Sequence, residues 1–392
     1  MSSIHISKRD GMPFAKALMI RLIGVLLSLV VCAVVIVALT KLNPVEVYKA
    51  IFSGAVGTSR RAWVTIRDAL ILLCVAIGLT PAFKMRFWNI GAEGQVLMGG
   101  CVSAAIMIYG ADHFGTAQLI PMMVVGSIVA GMIWGLIPAF FKAHWNTNET
   151  LFTLMMNYVA MQIITFCIVF WENPAGSNTV GIINSKTKLG WLPALSGLTY
   201  GWIVVIVLVL TVAMFGYLKY SKQGYEISVV GESENTAKYV GINVKKVIMR
   251  TMAISGAICG LAGFIIVSGS SHTISTSTAG GRGFTAIIVA WLSKFNTFTM
   301  VVISFFLVFM EQGAGQIASQ FNLNENASEV ITGIILFFIL GSEFFVNYKI
   351  QFKKKEEDIQ NERDHHFPSE SDRTGYGNAL WCTRRDRDGE IR

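Results

Sequence analysis

Gly231-Glu232-Ser233-Glu234-Asn235-Thr236-Ala237-Lys238-Tyr239-Val240-Gly241-Ile242 is the densest polar text in the body of this chain. It lies in the segment Lys219 to Arg250, between stretches that are almost continuously apolar. Ser233, followed by acidic and small residues, suits a helix N-terminus, and Gly241 suits a stop. The spacing predicts a short helix over Glu232 to Gly241 whose apolar residues, Ala237, Tyr239 and Val240, offer a face to a groove on a soluble partner. The alternative is a solvated connector.

Working outward, composition sets the class. The chain has 392 residues, of which 53% are hydrophobic and 14% charged, with a mean hydropathy of +0.55. Soluble domains carry about 25% charged residues, so lipid replaces water over much of this surface. The 37 glycines agree with close helix contacts in lipid. Gly131 with Gly135, and Gly256 with Gly260, have GxxxG spacing, which reads either as specific packing or as ordinary glycine usage in membrane helices. The six cysteines are scattered without a CxxC, which suits small core hydrophobes. The net charge of +8 fits basic flanks of membrane helices, and nucleic acid is not implied.

A spanning helix needs about 20 apolar residues. Such runs occur at 17–40, 62–83, 89–110, 116–141, 150–171, 200–218, 248–270, 284–293, 297–319 and 328–348. The expectation is an all-α polytopic membrane protein of about ten elements. The run at 284–293 is short. With the Gly-, Ser- and Thr-rich stretch Ser268 to Gly283 before it, it reads as a broken or re-entrant element walling a pathway, or as an external loop with a short tilted helix. The run from Ala17 to Leu39 spans rather than being cleaved. Counting Lys and Arg up to Lys294, an N-terminus inside puts 14 on the cytoplasmic side and eight outside. That bias places the N-terminus and the 219–247 segment in the cytoplasm, and an even number of crossings puts the C-terminus there too. The basic stretch Lys41 to Arg67, counted as outside, is a local exception. Residues 1–348 form the membrane domain in this reading, and 349–392 a polar, disordered tail.

Chemistry is sparse. The dipeptide Gly-Lys does not occur, so there is no GxxxxGK[ST] phosphate loop, and HExxH and GxSxG are also missing. The chain reads as a non-enzyme without a cofactor or metal of its own. Asn89-Ile90-Gly91-Ala92-Glu93-Gly94-Gln95 opens the third span with three polar side chains among glycines. Asn89 and Glu93, four apart, would share a helix face. This is either a polar patch on a translocation pathway or a satisfied hydrogen-bond cluster between helices. Asn157, and Glu311 with Gln312, stand inside other apolar runs, where interhelical bonding is an equal reading.

With these residues in view, the chain resembles the permease subunits of bacterial ATP-binding cassette importers, of the branched-chain amino acid, simple sugar and nucleoside family. The Asn89–Gln95 passage and the run Gly231 to Gly263 carry the resemblance. Met155-Met156-Asn157-Tyr158 and Gly281-Arg282-Gly283-Phe284-Thr285-Ala286-Ile287 support it. The resemblance implies that Glu232, Ser233, Thr236, Ala237, Lys238, Tyr239 and Gly241 dock on a separate ATP-hydrolysing subunit, which holds the ATP. It implies a pathway beside Asn89, Glu93, Gln95 and Asn157, to which Phe284 and Glu311 are added. It also implies a second permease subunit, alike or different, an extracytoplasmic substrate-binding lipoprotein, and a place in the bacterial cell membrane. Nucleosides are the expected solute, sugars next. The rival from a different class is an ion- or proton-coupled carrier using Glu93 or Glu311.

Overall fold

Twelve helices follow one another along the described chain, most of them on the predicted apolar runs. The structure is a computed structural model. It describes residues 3–8, 14–41, 43–195, 197–321 and 348–353, with isolated positions between 330 and 341. The chain divides into two units, residues 25–340 and a smaller one made of residues 1–24 with 341–392. In the smaller unit, strand β1 (Ser3–Lys8) pairs antiparallel with β2 (Tyr348–Lys353), with Ile6 opposite Ile350. No feature of the sequence announces this pairing, and it takes in the first residues of the expected tail. The rest of that tail, and most of the run at 328–348, lie outside the described residues.

The body is helical. The elements are α1 (Phe14–Thr40), α2 (Pro44–Val56), α3 (Ser59–Lys84), α4 (Ala92–Tyr109), α5 (Thr116–Trp145), α6 (Glu149–Trp171) and α7 (Gly201–Tyr220). Then come α8 (Lys222–Glu232), α9 (Glu234–Tyr239), α10 (Val244–Ile266), α11 (Arg282–Leu292) and α12 (Thr297–Phe321). Seven of the described helices, α3 to α7, α10 and α12, are long and apolar enough to cross a membrane. The 11 residues of α11 are too few to cross alone.

Local chemistry explains most boundaries. Asn43, Thr58, Asn148 and Asn243 each turn a side-chain oxygen onto a backbone N–H in the first turn of α2, α3, α6 and α10, satisfying donors that a helix start leaves orphaned. Asn146 ends α5 in a left-handed conformation at φ 50°. Helix α10 runs on into a π-helical turn, Val267–Ser271, before the irregular stretch 272–281. Helix α2 is an addition to the predicted set. It is short, and Val47, Ala50 and Ile51 bury against Met310 and Ile317 of α12, within the stretch read as a basic outer loop.

Burial sorts the helices into centre and rim. Helix α3 is buried continuously from Asp68 to Phe83, and α10 with its π-turn from Ile258 to Gly269. By contrast α5, α6 and α7 expose large apolar side chains such as Val125, Ile133, Phe166, Phe170, Val209 and Val212. An apolar rim around a buried centre is the arrangement for lipid rather than water. The GxxxG glycines lie at the α5–α10 contact. A Cβ on Gly131 or Gly256 would collide with the other's carbonyl oxygen, and one on Gly135 would lie 2.9 Å from the Met252 oxygen. These backbones touch because no side chain separates them.

Candidate functional site

The start of α4 is where polar groups converge. The helix begins at Ala92, so Asn89 precedes it and the expected shared face with Glu93 does not form. Asn89 turns the other way and is buried. Its Nδ2 donates to Ser255 Oγ on α10 at 3.2 Å, and its Oδ1 accepts from Gly91 N at 3.0 Å and from Gln95 Nε2 at 3.3 Å. From α6, Asn157 Oδ1 accepts from Gly94 N at 2.8 Å while its Nδ2 donates to the Ile90 carbonyl at 2.9 Å. Thr153 Oγ1 accepts from Ile90 N at 3.1 Å. Asn157 of α6 thus caps the first turn of α4 from outside, doing for it what an N-cap side chain would otherwise do, and Thr153 holds the residue before the cap. Asn89, Gln95 and Asn157 all take part in this hydrogen bonding.

Glu93 faces α11. Its Oε1 accepts from Gly281 N and its Oε2 from Gly283 N, each at 2.7 Å. One carboxylate therefore sits in the first turn of α4 and at the N-terminus of α11, and both helix ends favour negative charge there. Charge-assisted bonds of this length are the strong kind. Gly281 holds φ +72°, which suits glycine. At Gly283 a Cβ would lie 2.8 Å from the Glu93 Cα, so α4 and α11 meet backbone to backbone.

A second cluster escaped the sequence reading. Arg67 embraces Asp68 through Nε at 3.1 Å and Nη2 at 3.0 Å, and its Nη1 donates to Tyr200 Oη at 3.2 Å. Asp68 also accepts from Gln312 Nε2 of α12 at 3.0 Å and from Arg282 Nη2 of α11 at 3.4 Å. Asp68 is the tenth residue of α3, about 14 Å from its first at 1.5 Å rise per residue, and it is buried. The count of basic residues places Arg67 and Arg282 among the eight outside. The available signal was Asp68 itself, a carboxylate followed without a break by fifteen apolar or small residues up to Phe83. Phe284 is 43% exposed and Glu311 is exposed on α12. Neither joins the α4 hydrogen bonds.

The polar segment forms two helices rather than one. Glu232 ends α8, and Ser233 breaks the run with φ −160° and ψ 121°. Ser233 then caps α9 by accepting from Thr236 N at 3.2 Å. Gly241 follows α9 at φ +81°, and Ile242 N closes on the Ala237 carbonyl at 2.9 Å. Cap and stop therefore fall where the sequence put them, on a helix of Glu234–Tyr239. The expected apolar face is corrected at one residue: Ala237 is fully buried, whereas Tyr239 is 95% and Val240 63% exposed. Thr236, Lys238 and Gly241 are exposed too. The pair is anchored to the bundle. Gly231 packs against the Lys84 carbonyl at the end of α3, and Arg250 of α10 binds Glu226 of α8 at 2.9 Å.

Comparison with known proteins agrees with this architecture. The chain is 28% identical over 343 residues to the guanosine ABC transporter permease protein NupP of Bacillus subtilis, covering 86% of this chain and 95% of that protein. It is 26% identical over 335 residues to the nucleoside ABC transporter permease protein NupB of Lactococcus lactis, covering 83% and 91%. It is 25% identical over 360 residues to the glucose ABC transporter permease protein TsgB13 of Haloferax volcanii, covering 88% and 93%. The family model of the branched-chain amino acid transport system permease component matches residues 63–340, from α3 past α12, and the chain is a multi-pass member of that permease family.

Proposed function

We propose that this chain is the membrane-spanning subunit of an ATP-driven importer for a small uncharged polar solute, nucleosides first and sugars next. It would work in a bacterial cell membrane with both termini in the cytoplasm. A separate ATP-hydrolysing subunit docks on α9, a second permease subunit completes the pathway, and an extracytoplasmic lipoprotein delivers solute. ATP is bound by the partner and not by this chain.

The observation that carries the reading is the α8–α9 handle. It projects an almost fully exposed Tyr239 while its other side is tied to the ends of α3 and α10, the two helices with the longest buried runs. A push on α9 is therefore a push on the bundle centre. The guanosine and nucleoside relatives support the order of solutes, with the glucose relative behind the second choice. Against the carrier reading, which rests on Glu93 or Glu311, both oxygens of Glu93 already accept backbone N–H bonds.

Tyr239→Ala tests the handle. The side chain touches almost nothing in this chain, so the variant folds and reaches the membrane as the parent does. Co-purification of the ATPase subunit falls at least about tenfold, the scale for losing a buried aromatic at an interface. Undiminished capture of the ATPase would contradict the docking assignment.

A further inference from the structure

The Arg67–Asp68 cluster is not absorbed by the reading above. Two cavities of about 490 Å³ each flank the first turns of α3 and share Arg60 and Val64 in their walls. That size is within the range of small-molecule sites, about 300–1,000 Å³. Gln312 lines one cavity and Tyr200 the other. Gln312 donates to Asp68 and Tyr200 accepts from Arg67, so a wall residue of each cavity is bonded to the charge cluster.

Within that cluster Arg282 is the loose member. Its backbone is pinned, because Glu93 holds the N–H groups on either side of it at 2.7 Å. Its side chain is held by one long contact, to Asp68 at 3.4 Å, and its Nε is buried with no partner among the described residues. An unsatisfied buried donor is costly, more so on a charged group. Asp68, in contrast, does not need Arg282. Arg67 grips it through two N–H groups and Gln312 through a third. A guanidinium that can leave its carboxylate without stranding it, swinging from a fixed backbone, can accept another oxygen in exchange.

We propose that Arg282 is a solute-recognition residue, handing its guanidinium from Asp68 to an oxygen acceptor on an uncharged solute and returning it when the solute has passed. The charges say what kind of solute. Arg67 and Arg282 both bind Asp68, and Glu311 stands beside Gln312 in α12. An anion would meet those carboxylates. Carbonyl and hydroxyl oxygens, as on a nucleobase, a ribose or a hexose, suit the planar fork of a guanidinium without that repulsion. The assignment rests on the permease reading of the previous subsection.

The test uses the full assembly, with its ATPase and binding protein, in proteoliposomes supplied with labelled guanosine, uridine and glucose. Arg282→Gln and Arg282→Lys change the ratio of uptake rates among the carried solutes by at least about threefold, because each solute offers different acceptors to the fork. The thiol introduced by Arg282→Cys reacts with a small water-soluble thiol reagent, and a carried solute slows that reaction severalfold. A purely structural Arg282 lowers every rate by one common factor and leaves labelling indifferent to solute, and that pair of results overturns the proposal. If the parent assembly carries none of the three solutes, the reading of its function fails and this site fails with it. If the parent carries them and only the ratio and the protection are missing, the Arg282 assignment alone is lost.

Discussion

Glu93 shows how little a buried carboxylate reveals about its role until its partners are seen. In the sequence it is one of three polar side chains at the head of a span, open to substrate contact, proton carriage or structural bonding. In the fold both oxygens are committed to the N-terminus of α11. Glu93→Gln keeps the volume but places an amide NH₂ against one of two backbone N–H groups, so one acceptor becomes a donor. The expected loss is about 1.5–3 kcal/mol, the scale for a hydrogen bond to a charged group, seen as a lower melting temperature of the purified protein. A variant as stable as the parent would place the carboxylate elsewhere. Asn157 is similarly occupied, capping α4 from α6. The residue types were legible because polar groups in apolar runs stand out. Their roles were not, because the partners of Glu93 are 188 and 190 positions away, and nothing local encodes that encounter. Asp68 was missed for a related reason. Beside Arg67 it looks like the last charge of a loop, and only the packing of α11 and α12 against α3 makes it a hub.

At the scale of elements, the spans and caps were legible because they depend on local chemistry: runs of apolar residues, Ser233 before α9, Gly241 after it. Helix α2 was not, since its short apolar face makes sense only against α12. The GxxxG pairs stood between two readings until the backbones of α5 and α10 were seen in contact. Gly256→Leu therefore drives α5 and α10 apart. The expected outcome is a destabilisation of several kcal/mol, beyond the ordinary overpacking of about 1–3 kcal/mol, because backbone rather than a movable side chain blocks the new atoms. Yield of folded protein in detergent reads this directly, and Gly216→Leu, where a Cβ meets nothing within 4 Å, is the control expected to behave as the parent. Equal yields for the two would show that the α5–α10 contact is not close.

For the whole molecule, the arrangement separates functions by place. The centre, α3 and α10, is closely packed and carries the polar clusters on its flanks. The rim of α5, α6 and α7 faces lipid. The handle is tied to the centre through Gly231 and Arg250 and to α7 through Tyr217, which donates to Gln223, and no phosphate-binding loop exists in the sequence to drive motion from within. Membership of the permease family over residues 63–340 fits a body moved by another polypeptide. The sequence made this division visible through its one polar interruption, whereas the mechanical link from α9 through Gly231 to the end of α3 required the fold. The most direct measurement is uptake of labelled guanosine and uridine by vesicles containing the assembly, with and without its ATPase subunit, in the presence of an uncoupler. On the mechanism proposed, accumulation requires the ATPase and hydrolysable ATP and is indifferent to the uncoupler. Accumulation that continues without the ATPase and collapses with the uncoupler would contradict it.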